Sequence, residues 1–215
     1  DLIERRAAQL EEWQDAAWAE RYRADIGRVR EAERRLGRED LTKAAAIALH
    51  KLMSYKDEYE VARLYTDGAF QKALAERFED GGRLEFHLAP PLLARRDETS
   101  GHLRKSSFGP WMMGAFRLLA RLKGLRGTVF DPFGWTEERR MERRLIDEYR
   151  AALDEVLAGL TAANHALAVE IAALPSTMRG FGHVKAANVA KAKARERDLM
   201  ARYRSPAEAR CEAAE

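Results

Sequence analysis
The chain has 215 residues, 46% hydrophobic and 34% charged, with 38 Lys and Arg against 35 Asp and Glu. That length supports a core of ordinary density, and acidic residues are interleaved with basic ones before the tail, which argues against a nucleic-acid face. A lone cysteine, Cys211, excludes a disulfide framework and a Cys cluster for zinc or iron–sulfur ligation.

No apolar run approaches the roughly 20 residues that span a bilayer. A reducing, cytoplasmic setting follows from the cysteine usage. The start at Asp1, with neither an initiator Met nor the apolar region of a signal peptide, suggests a piece of a longer chain.

Residues 2–36 read as one long helix. Tyr22, Ile26, Val29 and Leu36 keep a heptad-like spacing, and Leu10, Trp13 and Ala17 continue the stripe upstream. Gly37 stops it. Asp40 is the expected cap of a second helix, whose run AAAIALHKLM is apolar on nearly all sides and so expected to be buried. His50 lies in that run, with no second ligand at helical spacing, and reads as a core histidine. The continuation SYKDEYEVARLY sets Tyr55, Tyr59 and Ala62 on one face and Glu60 three residues before Arg63. Gly68 separates the short helix AFQKALAERF from it.

Leu84, Phe86 and Leu88 alternate, which predicts a minor extended segment near 84–89, and Pro90-Pro91 bars a central strand position. Residues 95–107 read as a polar, mobile excursion. Gly109-Pro110 opens a helix whose buried stripe is expected to be Trp111, Ala115, Leu118, Leu119 and Leu122. It ends near Gly124. Thr136 caps the longest helix, with Glu137 and Glu138 in the positive first turn.

Apolar steps from Met141 to Leu174 carry that helix on, and Pro175 ends it; Gly159 and Asn164 are the weakest points, where a break is expected. The last segment, from about Ala186 to Arg204, is helical but poor in large apolar residues, and 205–215 reads as a flexible tail. The expectation is a single, mostly α domain over 1–215, a bundle of roughly five to seven helices with Gly/Pro-rich loops.

Three places interrupt the helical pattern with Gly, Pro, aromatic and cationic residues: FHLAPP (86–91), LRGTVFDPFG (125–134) and RGFGHVK (179–185). Their His87, Lys105 (between the first two), Arg126, Arg179, His183 and Lys185 are candidates for a cationic patch that takes an anion, a carboxylate or a CoA phosphate. A break in the long helix would bring RGFGHVK back toward Arg126 and His87. The same cations can instead tie loops to carboxylates or carbonyls and let the glycine turns dock on a neighbouring domain, and this structural role is preferred. A triad from Ser106 or Ser107, His183 and Asp131 lacks a nucleophile elbow. No residue is assigned a catalytic role, and no metal ligands are assigned.

LMSYKDEYEVARLY (52–65), FHLAPPLL (86–93), KSSFGPWM (105–112), LKGLRGTVFDPFGWTEERRMERRLI (122–146) and RGFGHVK (179–185) together resemble the helical C-terminal region of the fused indolepyruvate ferredoxin oxidoreductases. These belong to the thiamine-diphosphate-dependent 2-oxoacid:ferredoxin oxidoreductases. Ser54 and Trp135 depart from that pattern, outside its loops.

The resemblance implies a non-catalytic accessory domain of an enzyme that oxidatively decarboxylates arylpyruvates to aryl-acetyl-CoA. It also implies that thiamine diphosphate, Mg²⁺ and iron–sulfur sites lie upstream. Its partners would be the upstream catalytic domains, a second protomer of a homo-oligomer, and ferredoxin for the whole enzyme. No GDG-type motif, Cys-x-x-Cys or GxGxxG is present in these residues. The alternative is a stand-alone helical module that binds protein or, through its basic tail, nucleic acid.

Overall fold
The computed structural model describes residues 1–78, 84–88 and 106–205. They are mostly helical. In chain order come α1 (Leu2–Trp13), α2 (Ala16–Arg34), α3 (Asp40–Met53), α4 (Glu58–Thr66), α5 (Ala69–Arg77), β1 (Phe86–Leu88), β2 (Ser106–Phe108), α6 (Met112–Arg121), α7 (Glu137–Ala158), α8 (His165–Ala173) and α9 (Gly182–Arg204). Short 3₁₀ turns follow α6 and α8, at Leu122–Leu125 and Leu174–Thr177. Two compact units are formed, one from Asp1–Tyr55 with Arg140–Glu215, the other from Lys56–Arg139.

The helices outnumber the expected five to seven because capping residues cut the long segments. Asp15 sits inside the apolar pattern of 2–36, yet its carboxylate accepts from the Trp18 amide at 2.7 Å and starts a new helix there. Asp57 does the same for α4 by accepting from the Glu60 amide at 2.8 Å. The cut after Thr136 falls where propensity is lowest. α7 ends at Ala158, and Asn164 closes the turn by donating to the Gly159 carbonyl at 2.8 Å while accepting from the Thr161 amide at 2.8 Å. Gly159 also leaves room for the Tyr203 ring, which a Cβ there would meet at 3.2 Å.

The larger unit closes around Leu10, Tyr22, Ile26, Leu49, Val156 and Leu199, all fully buried. Its aromatic residues carry a polar end into the core and each finds a backbone carbonyl. Trp13 donates to Tyr55 at 3.1 Å, Tyr22 to Ala46 at 3.0 Å, Tyr149 to Ala172 at 2.8 Å and Tyr203 to Val156 at 2.7 Å. The last of these docks α9, which buries Val189, Leu199, Met200 and Tyr203 despite its few large apolar residues.

The cap of α3 differs from expectation. Asp40 makes no capping bond; the Glu33 carboxylate, from the end of α2, accepts instead from the Leu41 and Thr42 amides, both at 2.7 Å. A longer side chain from a neighbouring helix reaches the orphan amides that Asp40, already inside the first turn, cannot face.

In the smaller unit, α4 packs on α6 over Ala62, Phe86, Met112 and Phe116. Tyr65 lies parallel to Phe116 at 5.1 Å and edge-on to Phe86 at 5.3 Å. The predicted extended segment is β1, antiparallel to β2 with Phe86 opposite Phe108 and His87 opposite Ser107. Ser106 and Ser107 are therefore strand residues rather than part of a loop, while 95–105 and Pro90-Pro91 lie outside the described residues.

The stripe expected to be buried on α6 is instead largely exposed. Met112 and Phe116 face the core, Leu119 is half-buried against it, and Trp111, Ala115, Leu118 and Leu122 face solvent. α6 carries apolar residues on two adjoining faces, and periodicity cannot say which of them finds a neighbour.

Candidate functional site
The smaller unit holds a buried polar knot built from two of the strings singled out in the sequence. Arg126, 4% exposed in its side chain, pairs with Asp57, 2% exposed, through Nε to Oδ2 at 2.5 Å and Nη2 to Oδ1 at 3.1 Å. The guanidinium also lies over the Tyr59 ring at 5.4 Å. Tyr59 donates its hydroxyl to Asp131 at 3.2 Å, and burial, then the Asp131 charge, push its phenol above the usual range.

Asp131 in turn accepts from the amides of Gly127 at 2.9 Å and Phe133 at 3.1 Å. Gly127 has φ +76°, so the loop can fold back on its own carboxylate only with a residue that tolerates that backbone. YKDEY and LRGTVFDPFG, 69 residues apart at the Asp57–Arg126 pair, are thus one structure.

The RGFGHVK turn belongs to the larger unit, after the Leu174–Thr177 turn. Gly180 has φ +106°, and a Cβ there would stand 2.8 Å from Val184 Cγ1, so only glycine fits without displacement. Arg179 is exposed and donates to the Ser176 carbonyl at 3.1 Å. Lys185 pairs with the buried carboxylate of Glu142.

Lys51, from α3, donates to the carbonyls of Pro175 at 2.7 Å and Ser176 at 2.9 Å. Burial, then the nearby charges of Arg179 and Lys185, pull its ammonium down to about 8. The structure therefore gathers Lys51, Arg179 and Lys185 at one turn, with His183 exposed beside them. Lys51 was missed in the sequence because it sits in an ordinary helical run.

The remaining candidates are His87 and Lys105. His87 is exposed on β1, its Nδ1 hydrogen-bonded to Ser107 Oγ at 2.9 Å. Lys105 lies outside the described residues. His87 and Arg126 fall in the smaller unit, Arg179, His183 and Lys185 in the larger. Ser107 and Asp131, the ends of the conceivable triad, are engaged with His87 and with Tyr59 respectively.

A second buried polar group was not foreseen. Glu33, fully buried, accepts from the Leu41 and Thr42 amides, from Thr42 Oγ1 at 2.6 Å and from His165 Nε2 at 2.6 Å. Burial raises its pKa, but the bonds from Thr42, His165 and Leu41 together outweigh it and hold the carboxyl below its ordinary value. His50, expected to be a core histidine, is half-buried. Its Nδ1 accepts from Arg6 at 2.8 Å, which leaves the proton on Nε2, where no described residue accepts it. Burial, then the Arg6 charge, lower its pKa to about 4.

Chemically, these arrangements tie segments together: Arg179 and Lys51 hold the carbonyls of one turn, while Lys185–Glu142 and Arg126–Asp57 pair side chains from segments distant in the chain. Among the described residues no group of three or more His, Cys, Asp or Glu side chains is placed to hold a metal ion. Nor is any described helix long and apolar enough to cross a membrane.

A family model described as "Family of unknown function (DUF6537)" matches residues 1–198. The chain belongs to that family. The DUF6537 match runs from α1 into the last turns of α9 and takes in both the Asp57–Arg126 knot and the RGFGHVK turn. No curated protein and no solved structure matches the chain.

Proposed function
We propose that this DUF6537 chain is a non-catalytic accessory domain of an indolepyruvate ferredoxin oxidoreductase. It shapes and docks on catalytic domains that lie upstream in the same chain. The whole enzyme would oxidatively decarboxylate arylpyruvates to aryl-acetyl-CoA in the cytoplasm, pass the electrons to ferredoxin, and carry its thiamine diphosphate, Mg²⁺ and iron–sulfur clusters upstream. It would act as a homo-oligomer.

One observation carries the reading. The irregular strings behind the resemblance, YKDEY and LRGTVFDPFG, spend their charged residues on each other, Asp57 on Arg126 and Tyr59 on Asp131. Residues used in this way hold a surface in shape rather than meet a substrate. The loop they hold presents Val129, Phe130 and Trp135 at 73%, 77% and 62% exposure, apolar side chains suited to contact with another domain.

The test has two arms. The chain alone, given indolepyruvate, CoA, thiamine diphosphate, Mg²⁺ and ferredoxin, should fold as a helical protein and give no turnover; turnover refutes the accessory role. The upstream reading frame should encode thiamine-diphosphate and ferredoxin-type motifs. A start codon immediately before Asp1 would assign the chain to a stand-alone module instead.

A further inference from the structure
Helix α6 turns a continuous apolar stripe to solvent. At 100° per residue, Trp111, Ala115, Leu118 and Leu122 fall within about 60° of arc and three turns of length. Trp111 is 65% exposed, Leu118 61% and Leu122 40%. Single exposed apolar residues need no explanation, but a stripe at i, i+4, i+7 and i+11 is the spacing by which a helix grips a partner. Trp111 lies edge-on to Phe108 at 6.0 Å, one aromatic contact on the side of the stripe.

Charge narrows the partner. Between Phe108 and Phe130 the sequence holds Arg117, Arg121, Lys123 and Arg126 and no carboxylate. Arg126 is used internally. Arg117 and Arg121, one turn apart, are exposed, and neither has a hydrogen-bond or ion-pair partner among the described residues. Both lie on the side of the stripe away from the buried face of Met112 and Phe116.

We propose that this stripe is a protein-docking site for a helix or ridge with apolar anchors and a carboxylate flank. A second copy fits poorly, since an isologous pairing of the stripe sets arginine against arginine with no acid from 108 to 130 to oppose it. A bilayer fits poorly too, because α6 is buried along one side and offers cations only on the other. The proposal does not depend on which enzyme the chain serves, so its failure leaves the accessory-domain reading standing.

The experiment uses two synthetic amphipathic helical peptides with the same leucine spacing, one flanked by Glu and one by Lys, titrated into the whole chain by calorimetry. The Glu peptide should bind, and the Lys peptide about tenfold or more weaker. Leu118→Glu should abolish binding while far-UV circular dichroism stays unchanged, as its exposure permits. Arg117→Glu with Arg121→Glu should reverse the preference to the Lys peptide, which a merely structural role would not do.

Equal affinity for both peptides, or no binding of either, overturns the proposal. So does dimerisation in sedimentation that Leu118→Glu abolishes, which would make the occupant a second copy. Binding to phosphatidylglycerol vesicles that Leu118→Glu abolishes would likewise overturn it, in favour of a membrane surface.

Discussion
Removing the guanidinium of Arg126 leaves the Asp57 carboxylate charged in a site where its side chain is 2% exposed. Breaking one partner of a buried ion pair costs about 3–5 kcal/mol, because the remaining charge keeps its desolvation penalty and loses its compensation. Arg126→Met preserves much of the volume over the Tyr59 ring, so that range should apply with little added cavity cost.

Asp57 also caps α4, and asparagine caps about as well as aspartate, so Asp57→Asn removes the charge but keeps the cap. In that background Arg126→Met should cost about 1 kcal/mol or less, a coupling of at least about 2 kcal/mol between the two positions. The assay is urea unfolding of the four proteins of the cycle, with amide exchange over α4 and residues 125–134 locating the loss. A cost below about 1 kcal/mol for Arg126→Met in the parent, or the same cost in both backgrounds, would show that the pair does not hold the knot.

Two further outcomes follow from a titrating ring and from two glycine turns. His50 has a folded pKa of about 4, below its ordinary 6.5, so the fold favours the neutral ring. Its contribution to stability is complete above pH 6.5 and is lost as pH falls from 6.5 through 4. The urea midpoint should drop over that window in the parent and drop less in His50→Gln, and identical profiles would refute the assignment. Gly180→Ala forces a side chain into φ +106° and against Val184, and should cost about 1–3 kcal/mol. Gly127→Ala, at φ +76° in open space, should cost about 1 kcal/mol, and thermal unfolding showing the reverse order would refute the packing of the turn.

Local chemistry was legible in the sequence where it acts over one or two turns. Apolar spacing gave the helices, Thr136 the start of α7, Gly159 and Asn164 its end, and Leu84 to Leu88 the short strand. What escaped acts over long separations. Glu33 and His165 are 132 residues apart and Asp57 and Arg126 are 69, and nothing in the spacing of a chain one-third charged marks one carboxylate for one distant partner. Asp15 and Asp57 escaped for a related reason. Each cuts a helix inside an unbroken apolar period, and an acidic residue there looks like one more solvated side chain until its amide partner is seen.

On α6 the apolar spacing marks Trp111, Ala115, Leu118 and Leu122 as one face, but that face is exposed where burial is expected. A helix with two apolar faces needs two partners, and the chain supplies only one among the described residues, through Met112 and Phe116. Apolar side chains turned to water at that spacing oppose the burial that drives folding, and they bring no gain to the isolated unit. The excess therefore points outward, to a contact completed by another protein surface. The arginines beside it, placed where no carboxylate among the described residues reaches them, set the charge that surface should carry.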